Sequence, residues 1–131
     1  MVRSSRRRPA LVHPDRSALD LFDVLHALSD PTRMAIVTTL MADLERPCGT
    51  FPVEVAPSTL THHFRVLRDA GLIRQREDGN RRWTSLRLED VEAQFPGLLP
   101  LVVRLHSGSG VLHGPHAPRT KEQGTDAAAE L

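Results

Sequence analysis

Two adjacent histidines, His62 and His63, stand in the stretch PSTLTHHFRVLRDAGLI at residues 57–73. Imidazole can ligate a metal, move a proton or hydrogen-bond a base, and spacing discriminates between these uses. Neighbouring residues on a helix diverge by about 100°, so the pair cannot converge on one ion, and a helical zinc site prefers positions i and i+4. Read as a helix from Ser58 to Ala70, the stretch puts Leu60, Phe64 and Leu67 on one apolar stripe, with His63 at its edge. His62 points about 160° away from Phe64. It falls on a face with Ser58, Arg65 and Asp69, flanked by Thr59 and Thr61. His63 therefore reads as a hydrogen-bonded packing residue and His62 as an exposed polar one.

Other reactive groups are sparse. Cys48 is the only cysteine, so an intrachain disulfide and a thiolate metal site are both excluded. It reads as a small apolar packer, with a redox-sensitive thiol as the alternative. His106, His113 and His116 sit among Gly and Pro, which argues against a pre-organised metal site. Nothing resembles a nucleophile elbow, a phosphate loop or an H-E-x-x-H zinc motif. Asp69 shares a face with His62 and Arg65, but an exposed helix face is not a pocket. An enzyme is not expected, nor is any cofactor or metal.

Charge is informative once it is resolved along the chain. The net charge is +1 over 131 residues, yet residues 1–16 balance to +4, 17–57 to −4, 58–88 to +4 and 89–131 to −3. The second basic block coincides with the histidine stretch and the hairpin-like residues after it, and a local basic patch points to a polyanion. Aromatics are 4% with no Tyr, which disfavours a base-stacking platform of the RNA-binding kind. No apolar run reaches the length of a membrane span and the N-terminus lacks a signal-peptide core, so the expected location is cytoplasmic, with no membrane partner.

The elements that must position these residues emerge from periodicity. SALDLFDVLHAL repeats Leu21, Leu25 and Leu28 at helical spacing. SDPTRMAIVTTLMADL has Asp30 as N-cap, Pro31 in the first turn and an apolar face of Met34, Val37, Leu40, Met41 and Leu44. Three prolines and a glycine leave room for one helical turn at most in residues 45–57. Ser58 is the expected N-cap and Gly71 the expected stop of the next helix. LIRQREDGNRRWTSLRL reads as a hairpin turning at Asp78-Gly79, with Arg76, Arg81 and Arg82 crowding the turn and Trp83 packed at its base. EDVEAQFPGLLPLVVRL reads as short helices broken at Pro96-Gly97. The last of these is apolar nearly all round, which a partner subunit would cover.

A helix that is apolar inside and Ser/Thr/His/Arg outside, succeeded at once by an arginine-tipped hairpin, suits the DNA major groove with flanking contacts from the hairpin. Residues 25–88 resemble the ArsR/SmtB-type winged helix-turn-helix regulators in three ordered blocks. LHALSDPTRMAIVTTL is similar to the family's opening L-x-D-P-T-R-x-x-I-L-x-x-L. STLTHHFRVLRDAGLI is similar to its recognition helix, and REDGNRRWTSLRL to its wing. The resemblance implies a mainly α (α+β) fold, a helical bundle with one β-hairpin wing. It implies a sequence-specific, homodimeric transcriptional repressor that binds double-stranded DNA at an inverted repeat.

By position, the recognition helix (58–70) and wing (74–87) put Ser58, Thr59, Thr61, His62, Arg65, Arg76, Arg81 and Arg82 at DNA. Arg68, Arg74 and Arg87 read as solvated surface. The first helix of the helix-turn-helix is expected near residues 50–56, shortened by Pro52 and Pro57. Dimer contacts are expected from Leu21, Leu25, Leu99, Val102 and Val103. Metal-sensing members of the family carry a Cys-x-Cys-type motif before the recognition helix, and here Cys48 stands alone. Two alternatives remain: a winged-helix protein-interaction module, and a metal-responsive sensor using the C-terminal histidines. An unidentified small-molecule or redox effector also stays open. The expected organisation is a basic arm over 1–14, the winged domain over 15–106 and a flexible tail over 107–131.

Overall fold

The computed structural model describes residues 11–113, with side chains to residue 108. The chain divides into two compact units between Phe95 and Pro96. The first unit begins with a 3-10 turn at Arg16–Ala18. It continues as α1 (Leu21–Leu28), α2 (Pro31–Asp43), β1 (Glu45–Pro47), a 3-10 turn at Cys48–Thr50, α3 (Pro57–Asp69), β2 (Ile73–Asp78), β3 (Arg81–Leu86) and α4 (Leu88–Gln94). The second unit holds α5 (Leu98–His113). This is a mainly helical winged helix-turn-helix fold, with an antiparallel sheet in the order β1-β3-β2.

The helical core matches the sequence stripes only in part: Leu21 and Leu25 of the expected α1 stripe are each 41% exposed, and Val24 and Ala27 take their place. Val24, Ala27 and Leu28 of α1, Met34, Ile36, Val37 and Leu40 of α2, and Phe64 and Leu67 of α3 are buried. Leu72, Ile73, Leu86 and Val91 extend that core to the sheet and α4. Burying each large side chain contributes about 1.5–3 kcal/mol. Leu44, expected on the apolar face of α2, is instead 50% exposed, because the helix ends there.

Asp30 caps α2 as its type predicts, accepting from the Thr32 and Arg33 amides at 2.9 and 3.0 Å. Gly71 ends α3 with φ +87°. A Cβ at Gly71 would also lie 1.9 Å from the Leu19 side chain, so both conformation and space demand glycine. The start of α3 differs from expectation. The N-cap is Ala56 rather than Ser58, without a side-chain hydrogen bond, and Pro57 opens the helix. Proline's preset φ and missing N–H suit the first helical position, so the helix begins one residue earlier than the serine implies.

The hairpin loop is Gly79-Asn80, flanked by the Asp78–Arg81 pair. Gly79 alone has positive φ, at +66°, the pattern of a type II′ turn. A short β1 pairs with β3, Pro47 opposite Trp83, and widens the wing into three strands.

The largest departure lies between β1 and α3. No helix occupies residues 50–56 beyond the end of a 3-10 turn. The chain makes that one turn at Cys48–Thr50 and then runs extended to Pro57. Pro52 and the β-branched Val53 and Val55 oppose helix, and Phe51 supplies an alternative anchor. Phe51 is buried edge-on against Phe64, with ring centroids 5.4 Å apart. Such a pair adds about 0.5–1.5 kcal/mol beyond the buried area.

Two expected boundaries also shift. Helix α5 continues past Ser107 to His113, into the segment assigned to the tail. Leu11–Pro14, assigned to the arm, is placed, and His13 accepts a hydrogen bond from the Gln75 amide at 3.0 Å. The rest of the arm, residues 1–10, and the tail from residue 114 lie outside the described residues, as does His116. The side chain of His113 is also outside them.

Helix α2 offers a stability test at each end. Leu44, at its C-terminal end, has φ +71°, the single non-glycine residue with positive φ among those described. A leucine there is strained by about 1–3 kcal/mol. Leu44→Gly should therefore raise stability by about 0.5–1 kcal/mol in urea titration, after the entropic loss that glycine brings. At the other end, burial pushes the Asp30 carboxyl up. The Arg33 amide, the His63 and Arg33 charges and the Thr32 amide outweigh it and hold the group below its usual value. Its contribution is complete above the unfolded value near 3.8 and is lost as pH falls through the lower folded value. Asp30→Ala should cost about 1 kcal/mol at neutral pH and less near pH 3, measured by unfolding at both.

Candidate nucleic-acid interface

Helix α3 is fastened on one side by a buried arginine. Arg33 of α2 is 8% exposed. Its Nε donates to the Ala27 carbonyl at 2.7 Å, at the C-terminal end of α1, where a cation is favoured. Its Nη1 lies 3.1 Å from His63 Nδ1. A guanidinium only donates, so in the neutral ring Nδ1 accepts and the proton sits on Nε2. Asp30 Oδ2 stands 3.9 Å from the same nitrogen. His63 is therefore a buried, hydrogen-bonded packing residue, and the histidine pair divides as its spacing implies.

A second polar cluster fastens α3 to the wing. Arg68 Nη1 of α3 donates to Gln75 Oε1 of β2 at 2.6 Å. Gln75 Nε2 donates to Thr84 Oγ1 of β3 at 3.0 Å and lies 3.4 Å from Cys48 Sγ. Cys48 Sγ is itself 3.0 Å from Thr84 Oγ1. Gln75 is 3% exposed and Thr84 fully buried. Cys48 is thus only half-buried and sits against polar partners, not as an apolar packer. Nor is Arg68 a plain solvated charge: its Nε is buried without a hydrogen-bond partner among the described residues. Arg87 departs further from its surface reading. It is 5% exposed and ion-pairs Asp90 through Nε at 2.8 Å.

The opposite face of α3 is open. Ser58, Thr59, Thr61, His62 and Arg65 are all exposed, and Asp69 with them. Thr61 Oγ1 donates back to the Pro57 carbonyl at 3.0 Å, which fixes its rotamer. Arg65 has no hydrogen bond or ion pair with any described residue. A groove of ≈ 560 Å³ runs between this helix, the Cys48–Gly49 turn and the wing, with Ser58, His62, Arg65 and Arg82 on its walls.

The wing arginines are engaged where the sequence suggested free charges. Arg76 bridges to Glu45 at 3.1 and 3.2 Å, and the Glu45 hydrogen bond raises its already high pKa. Arg82 holds Glu77 at 2.6 Å. Arg81 has no carboxylate partner among the described residues. Trp83 is half-buried and flanked by both Arg76 and Arg81, their guanidinium carbons 5.4 and 5.3 Å from its ring. Phosphate would therefore meet Arg65 and Arg81 directly, but would have to exchange with a carboxylate at Arg76 and Arg82.

Sequence reasoning passed over the Arg68–Gln75–Thr84 cluster. The signal was present: alternation in IRQRED puts Gln75 on the same inward face as Ile73. A polar residue at an inward strand position calls for buried partners. Among the described residues no group of three or more His, Cys, Asp or Glu converges to hold a metal. None of their helices is long and apolar enough to cross a membrane.

Gln75→Leu should cost about 1–3 kcal/mol in urea titration, because the Arg68 guanidinium loses its acceptor and the buried Thr84 hydroxyl keeps only the Cys48 thiol.

Comparisons with known proteins agree with this geometry. A helix-turn-helix domain family matches residues 28–76. The HTH-type transcriptional regulator YceK of Bacillus subtilis strain 168 is 35% identical over 79 residues, covering 58% of this chain and 79% of YceK. The crystal structure of an ArsR family transcriptional regulator superposes with TM-score 0.52 at 25% identity, covering 65% of this chain and 94% of that one. Rv0081 of M. tuberculosis gives TM-score 0.52 at 26% identity, covering 66% and 89%. The transcriptional repressor BigR of Xylella fastidiosa shares the fold, with TM-score 0.51 at 22% identity over 71% and 85%. A buried DPTR arginine on the second helix, a polar outer face on the third and an arginine-bearing wing thus occur here in a chain with these relatives: it belongs to the ArsR family of DNA-binding, helix-turn-helix transcriptional regulators and is not an enzyme.

Proposed function

We propose that the protein is a cytoplasmic homodimeric repressor that reads an inverted repeat. In this reading α3 lies in the major groove and the wing sits on flanking DNA. One observation carries the assignment: the exposed face of α3 carries Ser58, Thr59, Thr61, His62 and Arg65, all able to hydrogen-bond bases or phosphates, while the large apolar side chains Phe64 and Leu67 of that helix turn inward. His62, Thr59 and Thr61 are the candidates for base edges. Ser58 and the free amides at the start of the 13-residue α3 suit a phosphate. Arg65 and Arg81 supply unpaired positive charge, and Arg76 and Arg82 supply charge that is released from Glu45 and Glu77 on binding.

The dimer rests on apolar surface in each unit. In α1, Leu21 and Leu25 are each 41% exposed and Phe22 is 77% exposed. In α5, Leu101 and Leu105 are exposed and Val102 and Val103 half-buried, while Leu99 is already buried within one chain. A second copy would cover these residues and place two recognition helices about one DNA turn apart.

Selection of genomic fragments by the purified protein at physiological salt, with and without a chelator, should enrich a few inverted repeats in both conditions. Failure to enrich any sequence would overturn the proposal. On a selected duplex, Arg81→Ala with Arg82→Ala should weaken binding to all sequences and reduce the salt slope by about 0.9 for each phosphate no longer neutralised. His62→Ala should leave that slope unchanged and relax the preference at one position by about 1–3 kcal/mol.

A further inference from the structure

Residues 13–19 form a strap against the free edge of the wing. The sheet order leaves one side of β2 without a strand partner. Alternate residues of an antiparallel strand turn their amides away from the neighbour, and on an edge strand those donors need another acceptor. Gln75 is such a residue: its N–H donates to His13 Nε2 at 3.0 Å. Gln75 is 3% exposed, so its amide has little water to turn to.

The two ends of the strap are held differently. At one end Leu19 is buried, within 1.9 Å of where a Cβ on Gly71 would stand. Arg16 Nε donates to Asp90 of α4 at 2.7 Å, and that bond holds the Asp90 carboxyl below its usual value. This end therefore keeps its contacts in mild acid. At the other end, the hold depends on a lone pair of His13. An imidazole protonated on both nitrogens has none, so it cannot accept from the Gln75 amide. It would also carry a positive charge facing Arg74 of β2, Arg68 of α3 and Arg87 at the start of α4. Arg87 is offset by Asp90 at 2.8 Å, Arg68 is bonded to the uncharged side chain of Gln75, and Arg74 is exposed. Burial, then these three arginines in the order Arg74, Arg68 and Arg87, hold the His13 pKa below its usual 6.5. The contribution of the neutral ring is thus complete above 6.5 and is lost as pH falls through the lower folded value.

We propose that His13 is a proton-operated latch on the wing. Neutral, it holds the strap on the β2 edge. Protonated on both nitrogens, it lets go of Gln75, and His13 and Pro14 leave the edge while Arg16 and Leu19 stay seated. The Gln75 side chain ties β2 to Arg68 of α3 and to Thr84 of β3, so freeing its amide loosens the wing against α3. DNA affinity then falls on acidification. That last step rests on the DNA-reading assignment above, whereas the latch itself does not.

Hydrogen exchange of the Gln75 amide, followed by NMR on the free full chain, tests the latch without DNA. Its protection factor should fall about threefold or more between about pH 7.5 and about pH 5, while the Ile36 and Leu40 amides of α2 keep theirs. The His13 ring should titrate below 6.5, in step with the chemical shift of the Gln75 amide. His13→Gln offers an uncharged acceptor and should remove the pH dependence at Gln75. On a selected duplex, wild type and His13→Gln should bind alike at about pH 7.5, with wild type about threefold weaker at about pH 5. Comparing the two proteins at each pH cancels any charging of His62. Unchanged Gln75 protection in the wild type, a His13 midpoint at or above 6.5, or an equal loss of protection in His13→Gln would each overturn the latch. Equal affinities of the two proteins at both pH values would overturn its coupling to DNA. If the wild-type chain binds no duplex at either pH, the DNA-reading assignment fails, and exchange at Gln75 still decides the latch.

Discussion

A recognition helix must be held at a fixed angle, and here it is held without a regular helix in front of it. The extended segment 51–56 contributes one aromatic contact, Phe51 on Phe64, in place of a packed helix. Orientation therefore depends on two buried polar ties at either side of α3. Arg33 grips His63 from α2, and Gln75 grips Arg68 from β2. Buried polar groups are costly unless they are satisfied, and that cost makes the geometry single-valued: Arg33 has few positions from which it reaches both Ala27 O and His63 Nδ1.

These ties also couple the helix to the wing. Gln75 bonds across the sheet to Thr84, touches Cys48 on the turn before α3 and engages His13 through its own amide. Four other segments, Arg68 of α3 included, thus meet within hydrogen-bonding distance of one residue of β2. A shift of the wing cannot leave α3 unaffected, and the groove between them keeps its shape as a result. The wing arginines show the complementary device. Arg76 and Arg82 are parked on Glu45 and Glu77, and Trp83 lies against two guanidiniums. Exposed pairs of this kind are worth little in free energy, but they keep long side chains extended near where phosphate would arrive.

Much of the candidate site was legible from residue order. The 100° step of a helix separated His62 from His63, and the Ser/Thr/His/Arg face came from the same periodicity. Pro31 after Asp30, Gly71 after α3 and Gly79 in the hairpin marked their boundaries because each meets a local backbone requirement. The Ser58 cap failed for a local reason as well, since Pro57 is the better first helical residue. The missing helix was half-visible: Pro52 and Pro57 warned of a short element, but only the Phe51–Phe64 contact explains why an extended path is stable there.

The sequence by itself determined helices α1 to α3, the β2–β3 hairpin and the basic character of residues 58–88, because these depend on spacing and on residues that are near neighbours. Tertiary structure decided which charges are available. Glu45 lies 31 residues from Arg76, and Gln75 lies 62 from His13. No local rule reports such pairs, so arginines that look alike in sequence separate into buried (Arg33, Arg87), carboxylate-bound (Arg76, Arg82) and open (Arg65, Arg81). Charge content is additive along a chain, whereas charge availability depends on which partners folding brings within hydrogen-bonding reach.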